Sequence, residues 1–211
     1  MTDLLLAGAT GLVGQAILDQ YDKDRLQITT VGRRPTGRVS QELITDFADA
    51  LELPSAAVAI CALGTTIASA GSRTAFRAVD YEAVMTFARA AVAADVSHFL
   101  VVTAVDANPK ARVFYSRVKG ELERDLQTLR FERLDIAQPG LLLGERQERR
   151  PVEALMQRMN PLLRLFLPGP LDRYAGISAA TLATALLALC GTKLPGVYRH
   201  ENRALRRLAT D

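Results

Sequence analysis

The sequence predicts an α/β fold, a doubly wound parallel sheet carrying a small C-terminal substrate lobe, and three observations predict it. First, a short apolar run from Leu4 to Ala7 breaks at Gly8, Gly11 and Gly14 and passes directly into Gln15-Ala16-Ile17-Leu18, which can start a helix. Second, apolar runs of strand length recur along the chain with helical segments between them, the order that builds βαβ units. Third, 211 residues with 49% hydrophobic and 23% charged content suit one soluble domain with a full core.

Strands are expected near 3–8, 26–31, 39–44, 57–62, 98–103 and 133–138. The two longest helices between them fall near 73–94 and 113–129. In the first, Phe76, Val79, Ala83, Phe87 and Ala91 recur at helical period; in the second, Val118, Leu122, Leu126 and Leu129 do. After Pro139-Gly140 the pattern changes. A charged loop at 145–150 leads to an amphipathic segment near 152–166 and then to Leu-Pro-Gly-Pro-Leu. A helix near 178–190 follows, with Ser178 as N-cap and Gly191 just past its end. A short strand at 196–199 and a basic helix at 201–209 close the chain. The core is thus about 1–140, and residues 141–211 are read as a substrate lobe packed on it. The apolar helices of the lobe fit packing within the chain or across a homodimer.

Composition narrows the function classes. A net charge of +3 does not by itself predict nucleic-acid binding, and the arginines from Arg199 to Arg207 read first as a solvated helix face. Cys61 and Cys190 sit in apolar contexts, as buried free thiols rather than a disulfide or zinc framework. His98 and His200 have no partner at metal-ligand spacing. Asp3 and the glycine turn interrupt the N-terminal apolar run, and the longest apolar segment, Ile177 to Cys190, is too short to span a bilayer. A cytoplasmic protein with no membrane or nucleic-acid partner is the expectation.

The chemistry-bearing residues begin with the glycine loop. A strand turning tightly into a helix N-terminus collects backbone N–H groups and the positive end of the helix dipole at one spot, which suits a pyrophosphate. The second strand ends at Arg33-Arg34, where a site preferring NAD would place an acid. Guanidinium would pair with the 2′-phosphate of NADP, and Arg33 is the better placed because Arg34 precedes a proline. The competing reading is a solvated turn. Tyr115 and Lys119 form a Tyr-x-x-x-Lys pair with phenol and ammonium on one helix face. A cation beside a phenol stabilises its phenolate, so the tyrosine can act as general acid or base toward a carbonyl or alcohol. Thr103 ends the preceding strand, where its hydroxyl either holds the substrate oxygen or is simply that of a good strand former. Asp80 lies within the apolar face of its helix. It therefore either ties down nearby backbone or organises a proton network. Gly64, in the run from Ala62 to Thr66, falls where backbone would approach a cofactor.

These pieces resemble an atypical or extended short-chain dehydrogenase/reductase, on Gly-Ala-Thr-Gly-Leu-Val-Gly at 8–14 and Tyr-Ser-Arg-Val-Lys at 115–119. More narrowly the chain is similar to the Tat-interacting-protein branch. The segments are Cys-Ala-Leu-Gly-Thr-Thr at 61–66, Phe-Arg-Ala-Val-Asp-Tyr at 76–81, the stretch 115–123, and Gln-Pro-Gly-Leu-Leu-Leu-Gly-Glu-Arg-Gln-Glu-Arg-Arg at 138–150. The resemblance implies a Rossmann-type fold binding NADP(H) through Gly8, Thr10, Gly11, Leu12, Val13, Gly14, Arg33, Arg34, Asp46, Phe47, Leu63, Gly64 and Thr65. It implies Tyr115 as general acid/base and Lys119 as the group that tunes it and holds the nicotinamide ribose, with Thr103 and Asp80 completing the catalytic set. Thr103 stands where the family usually has serine, Asp80 where extended members often have asparagine, and Gln138 where an arginine commonly precedes Pro-Gly. Arg146 and Arg149 are the candidates for reaching an anionic substrate. The expected activity is hydride transfer between nicotinamide and a small carbonyl or alcohol. The alternative is a non-catalytic NADP(H) sensor that binds a protein partner.

Overall fold

The fold is that of a computed structural model, which describes residues 2–143 and 169–210. Arg146, Arg149 and the amphipathic segment near 152–166 lie outside the described residues.

Seven parallel strands form the main sheet. They are β1 (Thr2–Ala7), β2 (Leu26–Gly32), β3 (Gln41–Ile44), β4 (Val58–Cys61), β5 (His98–Val102), β6 (Arg133–Gln138) and β9 (Gly196–Glu201), in the spatial order 3-2-1-4-5-6-9. β7 (Leu141–Leu143) and β8 (Gly176–Ser178) pair separately, also in parallel. Each of the six expected strands is present within two residues of its expected ends. The order reverses between β1 and β4. An α/β sheet of this Rossmann type opens its ligand crevice beyond the carboxyl ends of the strands at such a point.

The strands alternate between two apolar layers. Leu4 and Leu6 of β1 face one core, with α1 (Leu12–Gln20) and a tail helix packed over it; Leu5 and Ala7 face the other. That second layer holds α2 (Ile67–Ala70), α3 (Arg73–Arg77), α4 (Val84–Ala93) and α5 (Phe114–Leu126), with the core itself built on Val84, Phe87, Ala88, Ala91, Leu122 and Leu126. Burial on both faces explains why the strands read as near-continuous apolar runs. The tail helix is α6 (Ala179–Leu189), capped by Ser178, whose side chain accepts from the Thr181 N–H. α7 (Asn202–Leu208) follows β9. The described part of the tail thus adds β9 to the main sheet beside β6 and lays α6 against α1.

The helix expected over 73–94 contains a π-helical turn, Ala78–Ala83, between α3 and α4. The wider turn shifts the buried stripe by one residue. Phe76, Asp80, Val84, Phe87 and Ala91 are buried, whereas Val79 and Ala83 are only partly so.

Between β5, β6 and β9 lies a buried polar cluster. The Asp135 carboxylate accepts from His98 Nε2 and His200 Nε2, each at 2.6 Å, and from Arg133 Nε and Nη2 at 2.5 and 2.9 Å. The two histidines therefore share a carboxylate. Burial pushes the Asp135 pKa up, but the hydrogen bonds from His200, His98 and Arg133 outweigh it and hold the carboxyl well below the ordinary carboxylate range. A carboxyl depressed in the folded state contributes stability that is complete above its unfolded value of about 3.8. That contribution is lost as pH falls through the folded value. Urea unfolding from pH 7 down to pH 3 is expected to show stability declining below about pH 5. Asp135→Asn should be less stable at pH 7 and show a flatter acid limb. Parallel curves for the two proteins would remove Asp135 as the source.

Candidate active site

The glycine loop joins β1 to α1 at the switch point. Gly8 has φ +85°, and a Cβ placed on it would lie 2.6 Å from both the carbonyl carbon and oxygen of Ala62, at the end of β4. The loops after β1 and β4 therefore touch backbone to backbone, which a side chain at residue 8 would prevent. A Cβ on Gly14 would come within 2.3 Å of the Gly8 carbonyl oxygen, so α1 also starts hard against the loop. Gly11 is the N-cap of α1 and no side chain caps the helix. The first-turn N–H groups of Leu12, Val13 and Gly14 are left for an external acceptor, next to the exposed Thr10.

Arg33 and Arg34 follow β2 on the same edge, both exposed and, among the described residues, without a carboxylate in ion-pair reach. Their loop is shaped by Glu42, whose carboxylate accepts from the N–H groups of Thr36 and Gly37 and from the Thr36 hydroxyl. Arg38 is held away from the edge by Asp19 at 2.7 Å. Beyond β3, the exposed Asp46 accepts from the Ala48 N–H, and Phe47 takes φ +64° with its ring buried.

The second half of the site is built on α5. Lys119 is 3% exposed and its ammonium sits 2.8 Å from Asp80 Oδ1, itself 1% exposed. The other oxygen of Asp80 accepts from the Thr65 N–H at 2.7 Å. Asp80 thereby ties down nearby backbone at Thr65, one of the two roles expected of it, and it pairs with Lys119. The π turn is what brings it inward. Gly64 lies over the pair, and a Cβ there would meet Asp80 Oδ1 at 3.4 Å. Burial pushes the Lys119 pKa down, but the Asp80 carboxylate and Tyr115 outweigh it, and the net direction is up. The ammonium stays charged. Tyr115, one helical turn earlier, is half-buried and packs its ring against the buried Phe76, centroids 5.5 Å apart.

Thr103 is turned elsewhere. Its hydroxyl donates to Glu123 Oε1 at 2.6 Å, with a longer contact to the Ala137 carbonyl at 3.3 Å. Glu123 is buried, on the face of α5 that already carries Tyr115 and Lys119, and sequence reasoning passed over it. The i,i+4 continuation from Lys119 was the signal. Gly120 was also passed over. A Cβ on it would lie 2.1 Å from the carbonyl carbon of Asn108, so the loop after β5 is pressed onto α5 just behind Tyr115.

The remaining sequence candidates are structural. Burial pushes the thiols of both Cys61 and Cys190 up to about 12, so neither is a nucleophile at neutral pH. Among the described residues no group of three or more His, Cys, Asp or Glu side chains could hold a metal ion.

A model of the HIM1 family matches residues 36–168. The mitochondrial protein fmp52 of Aspergillus fumigatus is 32% identical over 93% of this chain and 92% of its own length. HTATIP2 of Rattus norvegicus is 31% identical over 99% of this chain and 89% of its own. Among solved structures, MoeE5 in complex with UDP-glucuronic acid and NAD superposes with a TM-score of 0.73 at 16% identity, covering 94% of this chain and 75% of that one. The human epimerase family protein SDR39U1 with NADPH gives 0.66 at 20% identity, covering 94% and 74%. These structures share the fold. The expectation of a cytoplasmic protein is overturned by the fungal relatives, which are named as mitochondrial. That expectation came from the interruption of the N-terminal apolar run at Asp3 and the glycine turn and from the short length of the Ile177–Cys190 segment. Among the described residues no helix is long and apolar enough to cross a membrane, but that does not specify a compartment.

Proposed function

The chain belongs to the HIM1 family, and from that premise we propose that it is an NADP(H)-dependent oxidoreductase of the atypical short-chain dehydrogenase/reductase kind, acting on a small carbonyl or the corresponding alcohol. The observation that carries this reading is the buried Lys119–Asp80 pair, held beside Tyr115 and tied to the loop after β4 by the Thr65 N–H. A surface Tyr-x-x-x-Lys pair has no need of such burial.

The residues fit a dinucleotide. The close approach at Gly8 and the uncapped start of α1 suit a pyrophosphate, and the exposed Arg33 and Arg34 suit a 2′-phosphate; by the family resemblance, Asp46 and Phe47 would hold the adenine. When bound, the nicotinamide supplies or accepts the hydride. Tyr115 holds the proton at its phenol oxygen and passes it to the substrate oxygen, or takes it back in the reverse direction. Lys119, charged and fixed, stabilises negative charge developing on the phenol oxygen and would hold the ribose of a bound cofactor. Asp80 fixes the ammonium in place. With the Thr103 hydroxyl engaged by Glu123, Tyr115 is the group that delivers the proton.

The test is a calorimetric titration with NADPH, NADP⁺ and NADH in parallel, followed by a carbonyl panel with wild-type and Tyr115→Phe proteins. Tighter binding of the NADP forms is expected, with turnover falling by about a hundredfold or more in the variant and NADPH affinity nearly unchanged. Full activity in Tyr115→Phe would sink the assignment. Binding with no turnover across the panel would favour the sensor instead.

A further inference from the structure

Glu123 is a buried carboxylate that the proposed chemistry does not use, and its partners come from β6, from β9 and from the residue just past the end of β5. Oε1 accepts from Thr103 at 2.6 Å and from Gln138 Nε2 at 2.9 Å; Oε2 lies 3.0 Å from the same amide and 3.4 Å from Arg199 Nε. The Glu123 side chain is 4% exposed and that of Arg199 47%. Among the described residues Arg199 is the one cation in ion-pair reach of this carboxylate. A buried carboxylate without a compensating charge is costly. Gln138, the last residue of β6, brings a neutral amide to a position where the family resemblance would put an arginine. The parallel register pairs Ile136 with Arg199 and Gln138 with Glu201. A side chain from the neighbouring strand therefore reaches the same carboxylate.

We propose that Arg199 is a positioning residue for the nicotinamide half of the site. From β9 it supplies the charge that Gln138 lacks. Through Glu123 it holds the ends of β5 and β6 and the Tyr115–Lys119 face of α5 in one arrangement. This inference rests on the dinucleotide reading above. The adenosine half, at the glycine loop and Arg33, belongs to β1, α1 and β2, on the far side of the sheet order from β9. A defect at Arg199 is therefore selective.

The experiment titrates the whole chain with two probes: NADPH, and adenosine 2′,5′-bisphosphate, which carries the adenosine half without nicotinamide. Arg199→Ala is expected to weaken NADPH by about tenfold, leave the bisphosphate within about twofold, and lower the melting temperature by about 3 °C. Adding Gln138→Arg to that variant should restore NADPH affinity, because the charge returns by the other strand. Equal weakening of both probes would mean general loosening and overturn the proposal. So would a lower melting temperature with NADPH affinity unchanged, which makes Arg199 a packing contact, or a folded double variant that stays weak. A wild-type protein that binds neither probe overturns the dinucleotide reading itself, and this inference falls with it; the wild-type titration alone identifies that case.

Discussion

Asp80→Ala is expected to destabilise the protein by about 3–5 kcal/mol, because it leaves the Lys119 ammonium buried with no counter-charge. Both side chains are almost inaccessible, so little solvent screening softens the loss. The Thr65 N–H loses its acceptor as well. The double variant Asp80→Ala/Lys119→Met removes the charge together with its partner and should recover much of the stability, with a coupling energy of opposite sign to the single losses. Urea unfolding at pH 7 measures all three proteins. A single-variant loss under about 1 kcal/mol would show that the ammonium has found water or another partner, and the rigid Lys119 required by the proposed proton transfer would have to be given up.

Gly8→Ala has the second large effect, on ligand binding rather than on the fold as a whole. The variant must hold φ near +85° with a side chain, at about 1–2 kcal/mol, and its Cβ would stand 2.6 Å from the Ala62 backbone. The loops after β1 and β4 must separate, and both line the crevice. Dinucleotide affinity is expected to fall by about a hundredfold. Gly37→Ala is the control, since Gly37 also has positive φ, at +67°, but has open space around the added atom. If calorimetry shows the same loss in both variants, backbone strain rather than close approach governs the site.

Much of this was legible in the sequence because periodicity and the glycine turn are local. β1 through β6 and the Tyr115–Lys119 face follow from residues near one another in the chain. What escaped depends on distant contacts. The π turn that carries Asp80 inward has no periodic signature, since the same residues read equally well as regular helix with Val79 inside. Thr103 occupied the expected strand end, but its hydroxyl direction is set by Glu123, twenty residues on. His98 and His200 gave no signal because Asp135 joins them only once β5, β6 and β9 lie side by side.

The placement of β9 has a consequence for biosynthesis. All strands of the main sheet run parallel, and β9 pairs with β6 from beyond a long intervening stretch of chain. As the polypeptide leaves the ribosome, the first strands can pair and close around the glycine loop while β6 still presents a bare edge, open to other nascent chains. Arrival of β9 covers that edge and in the same step delivers Arg199 to Glu123 and His200 to Asp135. The contacts of β9 are therefore the last to form, and a chain arrested before it would pair its early strands and still lack the side chains that Glu123 and Asp135 hold in the finished sheet.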